Sequence, residues 1–135
     1  GDQQALGFFG IAYYEENKTR VKLVPVDDGK ADNGAGPIAP SSQTVRNGSY
    51  QPLSRPLFVY ASVKALARPP VAAFVHYYLA QAPSLVGKVG YIALPDKAYA
   101  WAQGRVERRA ADSLFGGKGS QVGITIEALM AREAQ

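Results

Sequence analysis

Apolar positions dominate the opening segment Ala5-Leu6-Gly7-Phe8-Phe9-Gly10-Ile11-Ala12-Tyr13-Tyr14, where glycines also permit close backbone approach. That pattern predicts a buried strand. A polar turn over 15–20 follows. Val21, Leu23 and Pro25-Val26 then alternate with Lys22 and Val24, predicting a second, less buried strand. Residues 27–40 read DDGKADNGAGPIAP, turn chemistry throughout, and predict a surface loop. Ser41 or Ser42 caps a short helix reaching Asn47, with Gly48 as its left-handed stop. In Tyr50-Gln51-Pro52-Leu53-Ser54-Arg55-Pro56 two prolines bracket a polar pair, which predicts an extended crossover. It leads into Leu57-Phe58-Val59-Tyr60-Ala61, the best strand candidate of the chain.

Beyond that point the period changes. Pro69-Pro70 opens a helix whose apolar stripe is Val71, Phe74, Val75, Tyr78 and Leu79. A further helix is expected after Pro83-Ser84. Tyr91 to Leu94 lead to Pro95-Asp96, where a long helix begins and runs to the region of Arg109, with Ala98, Trp101, Ala102 and Val106 on its apolar side. A glycine-rich stretch over 114–126 precedes a terminal helix over Glu127 to Arg132, capped by Thr125. Strands in the company of helices give an α/β or α+β class.

Composition narrows the chemistry. With 135 residues, 47% hydrophobic and 19% charged, the chain has one domain's length and enough apolar side chains for a core. Fourteen glycines and nine prolines favour turns over long helices. A net charge of +4 suits an anionic ligand but is too small to indicate nucleic acid, and none is expected. Zero cysteines exclude disulfides, thiolate metal sites and thiol nucleophiles together. His76, the one histidine, excludes a multi-histidine metal site. No apolar run reaches the length that spans a bilayer. The opening Gly1-Asp2-Gln3-Gln4 has no initiator methionine and no signal-peptide pattern, so the chain reads as a trimmed or partial sequence.

Candidate sites thin out on inspection. Gly116-Gly117-Lys118-Gly119-Ser120 lacks the Gly-Lys-Ser/Thr triplet of a phosphate-cradling loop, because Gly119 follows Lys118. Placing Gly34 at the obligatory glycine of a calcium loop puts Gly29 and Ala31 where carboxylates belong. Glu15-Glu16 and Asp27-Asp28 are neighbours that point apart in a strand and suit solvated turns. Arg108-Arg109 reads as a solvated helix end. His76 has no motif beside it for an orienting carboxylate or a nucleophile. Asn17-Lys18-Thr19 and Asn47-Gly48-Ser49 fit the glycosylation sequon, which matters only on a eukaryotic secretory route. The pair Ser54-Arg55 stands out. A hydroxyl and a guanidinium on a proline-stiffened crossover suit an oxyanion in a cleft, and equally a salt bridge or carbonyl cap at a hinge.

Five stretches, taken in order, resemble one family. They are residues 5–17, 39–50, Pro52-Leu53-Ser54-Arg55-Pro56-Leu57-Phe58-Val59-Tyr60, Val89-Gly90-Tyr91-Ile92-Ala93-Leu94-Pro95 and Ser113-Leu114-Phe115-Gly116-Gly117. The chain resembles the C-terminal part of the phosphate-binding proteins of bacterial ABC phosphate transporters, the PstS family. The resemblance implies an α/β, type II periplasmic-binding-protein fold, of which this is the C-terminal portion only. It divides the chain into the end of lobe two (1–50), a hinge crossover and return strand (51–62), and the C-terminal part of lobe one (63–135). The family's principal phosphate ligands fall upstream of the matched segment, so none is placed here; Ser54 and Arg55 are the cleft-adjacent candidates.

The expected function is therefore a segment of a non-catalytic, phosphate-capturing component of an uptake transporter, in the periplasm or at the cell surface. No cofactor, metal or catalytic residue is expected. Inorganic phosphate, the remaining N-terminal segment and the transporter's membrane subunits are the implied partners. The alternative is a surface interaction or adhesion protein on the same scaffold, for which exposed aromatics such as Tyr13-Tyr14 or Tyr77-Tyr78 would serve.

Overall fold

Helices carry the architecture seen in the computed structural model, which describes residues 2, 4–113, 115 and 123–133. Two short helices, α1 (Ile11–Glu16) and α2 (Ser42–Arg46), lie in the first half. A single turn, α3 (Val63–Leu66), leads into the long α4 (Pro69–Leu85), and a 3₁₀ turn over Val86–Val89 ends it. Then come α5 (Asp96–Glu107) and α6 (Ile126–Glu133). Helix α4 packs on α3, the 3₁₀ turn and α5, and α5 packs on α6. Six hydrophobic residues are buried among the described ones: Tyr50, Leu66, Val75, Ala82, Ala98 and Leu129.

The expected α/β type II fold is not what the chain forms. Among the described residues the one β pairing is a bridge in which Val26 and Ile38 exchange two backbone hydrogen bonds of 2.9 Å. The bridge closes residues 27–37 into the expected surface loop, but the strand predicted over 21–26 does not extend from it. The strand predicted over 5–14 is also absent. Its second half belongs to α1, held by contacts at helical spacing: Phe9 against Tyr13 with ring centroids 5.8 Å apart, and the Asn17 side chain donating to Tyr13 O at 2.8 Å. The strand predicted over Leu57–Ala61 does not form either; these residues pair with no described backbone, and Leu57 and Tyr60 are 70% and 89% exposed. The cause is physical. A strand satisfies its N–H and C=O groups only through a neighbour, whereas a helix satisfies them within itself.

The helical expectations fare better. Ser41 caps α2, its hydroxyl accepting from Thr44 N at 3.1 Å while Thr44 Oγ1 accepts from Ser41 N at 2.9 Å. Gly48 follows with φ +75°, the left-handed stop. Proline opens α4 at its first turn, and Val75 on the predicted stripe is buried, although Phe74 and Tyr78 face outward. After Pro83-Ser84, where a further helix is expected, α4 runs through the proline to Leu85 and a 3₁₀ turn over Val86–Val89 follows directly. Helix α5 begins at Asp96 as expected and ends at Glu107. Thr125 caps α6, its hydroxyl accepting from Ala128 N at 3.2 Å. Most of the glycine-rich stretch over 114–126, including Gly116 to Ser120, lies outside the described residues.

Two contacts tie distant parts together. Gly90 adopts φ +79°, and a Cβ there would sit 2.7 Å from Ala12 Cβ, so α1 rests on the turn after α4. Across α5 and α6, Lys97 Nζ meets Glu127 Oε1 at 3.1 Å. Even so, the chain exposes 9960 Å², against roughly 6800 Å² expected of a folded monomer of this mass.

Three outcomes follow. Gly90→Ala should destabilise the chain by about 1–3 kcal/mol, since it adds both a clash and a disfavoured φ. Leu129→Ala, at a site 2% exposed, should cost about 2–5 kcal/mol; urea denaturation of each variant measures both. A bond from its own backbone N–H and the Lys97 ammonium hold the Glu127 carboxyl below its ordinary range. A lowered folded-state value means this contribution is present at neutral pH and lost as pH falls through that value. The pair is exposed, so Glu127→Gln should remove at most about 1 kcal/mol at pH 7 and nothing at pH 2.

Candidate functional site

Residues 39–55, which include α2, are laced by side-chain hydrogen bonds and contain both candidate residues. Thr44 Oγ1 donates to Ala39 O at 2.8 Å, fixing the entry to α2. At its exit the left-handed Gly48 reverses the chain, so that Tyr50 N donates to Thr44 O at 2.9 Å. The turn is held from outside by Asn33, whose Nδ2 donates to Ser49 O at 3.1 Å, and from within by Gln51 Nε2 to Gly48 O at 3.4 Å. Tyr50 is buried by this wrapping, and burial pushes its phenol above the ordinary value of 10.0. Thr125 Cγ2 would lie 3.7 Å from a Cβ on Gly48, which places the start of α6 beside the turn.

Ser54 and Arg55 divide in role. Ser54 is half-buried and donates its hydroxyl to Tyr50 O at 2.7 Å, pinning the crossover to the turn. Arg55 is exposed and bonds to no other described residue. Adjacent in sequence, they do not converge. One side chain fastens the backbone, the other is open to an anion.

Sequence reasoning missed two buried acceptors here. Asn33 Oδ1 and Gln51 Oε1 are shielded from solvent and have no partner among the described residues. Both would take a donor, not an oxyanion. No spacing signal marks them, because only the fold brings residue 33 to the 48–51 turn. A shallow depression of about 500 Å³ beside it is lined by Ser42, Gln43, Arg46 and Asn47. A second, of about 610 Å³, lies along Tyr14 and residues 18–23. Both are open; the first carries the Arg46 guanidinium and the second Lys18, Arg20 and Lys22 along its edge.

The other sequence candidates are placed plainly. Asp27 Oδ1 accepts from Gly29 N at 2.8 Å and Asp28 Oδ1 from Lys30 N at 3.1 Å, so both carboxylates serve their own loop. Glu15 and Glu16 sit on α1, not on a strand, and Glu15 pairs with Lys18. His76 is half-buried on α4. Arg109 has φ +52° just past the end of α5. Tyr13, Tyr77 and Tyr78 are exposed. The described residues contain no group of three or more acidic or histidine side chains placed to hold a metal ion. None of their helices is long and apolar enough to cross a membrane.

Separating fastening from function gives a direct expectation. Ser54→Ala should destabilise the chain by about 1 kcal/mol by leaving the Tyr50 carbonyl without its donor. Arg55→Ala should change stability by less than about 0.5 kcal/mol. Thermal melts of the two variants test the division.

Comparison with known proteins places these elements in context. No family model matches the chain, and no solved structure matches it. The protein SphX of Synechocystis is 42% identical over 134 residues, 98% of this chain and 38% of SphX. SphX of Synechococcus elongatus matches to the same extent. The phosphate-binding protein PstS of Staphylococcus epidermidis is 38% identical over 99 residues, 73% of this chain and 29% of PstS. The chain thus spans well under half the length of the curated relatives it matches. Over nearly its whole length it is homologous to a segment of SphX, and over 99 residues to a segment of phosphate-binding proteins named PstS.

Proposed function

We propose that the chain is part of a protein that captures inorganic phosphate for an uptake transporter, and that it catalyses nothing. The observation that carries this reading is the homology to proteins named for phosphate binding, with 42% identity to SphX over 98% of the chain beside it. The reading places the protein in the periplasm or at the cell surface, where it would meet the membrane subunits of an ABC transporter. The basic balance of +4 agrees with an anionic ligand.

Within that protein this chain supplies scaffold and hinge more than ligands. A desolvated phosphate needs several charge-assisted donors directed at one point. Arg55 is one of several guanidiniums, with those of Arg20, Arg46 and Arg68, that bond to no other described residue, and the hydroxyl beside it is already committed to Tyr50 O. Arg55 is accordingly assigned a place at the margin of the phosphate cleft, and Ser54 the fastening of the crossover that positions it. The principal donors come from the rest of the homologous protein. The same remainder is the partner proposed to cover the exposed side chains Phe8, Leu57, Phe58 and Tyr60.

Titration calorimetry with inorganic phosphate tests this. The 135-residue chain alone should bind more weakly than about 1 mM, since a micromolar constant needs about −8 kcal/mol. Micromolar binding by this chain alone would place the ligands within it and overturn the assignment.

A further inference from the structure

The sequence contains Asn-Gly twice, at Asn33-Gly34 and Asn47-Gly48. In such a pair the glycine nitrogen has no neighbouring side chain to shield it, and it can attack the amide carbon of the asparagine. Whether it does depends on how the amide is held. The two sites differ in that respect.

Asn47 is exposed at the C-cap of α2. Its Oδ1 accepts two hydrogen bonds from Ser49, one from the backbone N–H at 3.0 Å and one from the hydroxyl at 2.7 Å. Its Nδ2 donates to no described residue. Asn33 is the reverse case. Its Nδ2 is held by Asp28 Oδ2 and by Ser49 O, each at 3.1 Å, and its Oδ1 is buried with no donor among the described residues.

We propose that Asn47 is a site of spontaneous deamidation through a cyclic imide, activated by Ser49, and that the fold protects Asn33. Hydroxide removes the proton of Gly48 N, and that nitrogen bonds to Asn47 Cγ. Negative charge then builds on Oδ1, the atom both Ser49 donors face in the resting turn and which they can follow through the permissive φ and ψ of Gly48. The Cγ–Nδ2 bond breaks, and the nitrogen takes up a proton from water and leaves as ammonia. Water then opens the five-membered imide at either carbonyl, yielding aspartate or isoaspartate. Ring closure requires Asn47 to rotate from its ψ of 0° and Gly48 N to release its 3.3 Å bond to Val45 O. The end of a five-residue helix opens at small cost. At Asn33 the same attack meets a tethered leaving group, no donor for the oxyanion, and the Asp28 carboxylate beside it.

The product changes the site described above. Aspartate puts a negative charge at the C-terminal end of α2, where the helix dipole opposes it. Isoaspartate also lengthens the backbone in the turn that seats Tyr50.

Peptide mapping by mass spectrometry after incubation of the chain at pH 7.4 and 37 °C tests the proposal, reading the amide-to-acid mass change at each asparagine. Asn47 should convert at least about tenfold faster than Asn33 in the folded chain, the ratio expected when one site has its oxyanion donors and the other lacks them. In denaturant the two should fall within about twofold of each other, because the fold no longer distinguishes them. Ser49→Ala should slow Asn47 by about fivefold, since the hydroxyl donor is lost and the backbone donor kept. Equal rates in the folded chain, a denatured ratio as large as the folded one, or no effect of Ser49→Ala in a variant that keeps the native circular dichroism would each overturn it. Should that variant not fold, the folded and denatured ratios of the unaltered chain decide alone.

Discussion

Backbone hydrogen bonding is the constraint on which the rest of this structure depends. A segment rich in aromatic and β-branched residues can bury itself only if another backbone completes its pairing. In this chain the segments over 5–10 and 57–61 find no such partner among the described residues. What forms instead are elements that close their own bonds: α1, α2, the long α4, α5 and α6. The consequence is thermodynamic. Roughly 3000 Å² more surface is exposed than mass alone requires, well above one partner's share of a standard-size interface. Burying so few side chains leaves a narrow margin over chain entropy.

Much of the helical structure was legible because its signals are local. The Ser41 cap, the left-handed Gly48, proline at the start of α4 and Thr125 before α6 each act within one turn of the residue that carries them. The strand expectations failed for the opposite reason. Nothing in Leu57-Phe58-Val59-Tyr60 records whether a neighbour is present, and the type II fold implied by resemblance needs such neighbours throughout. Phe9-Gly10-Ile11-Ala12-Tyr13 illustrates the competition: without a partner, contacts between residues four apart favour helix. At Pro83 the outcome is mixed, since α4 continues through the proline for two residues before a 3₁₀ turn takes over.

The site was legible only in part. Ser54 and Arg55 were visible as a polar pair between prolines, but their separate roles appear only when Ser54 is seen bonded to Tyr50 O. Asn33 and Gln51 carry no motif, and the turn they support exists because the loop closed by Val26 and Ile38 returns residue 33 to residue 49. The same turn aligns Asn47 and Ser49, so scaffold and chemical vulnerability share one set of bonds. Homology to segments of SphX and of phosphate-binding proteins named PstS is what the proposed ligand class rests on, since local physics does not supply one.

Sedimentation velocity of the 135-residue chain over a wide concentration range tests that uncovered surface most directly. If the exposed apolar segments are made to be covered, the chain alone should associate with copies of itself, and its sedimentation coefficient should rise with concentration. A single monomeric species at every concentration would contradict the central claim.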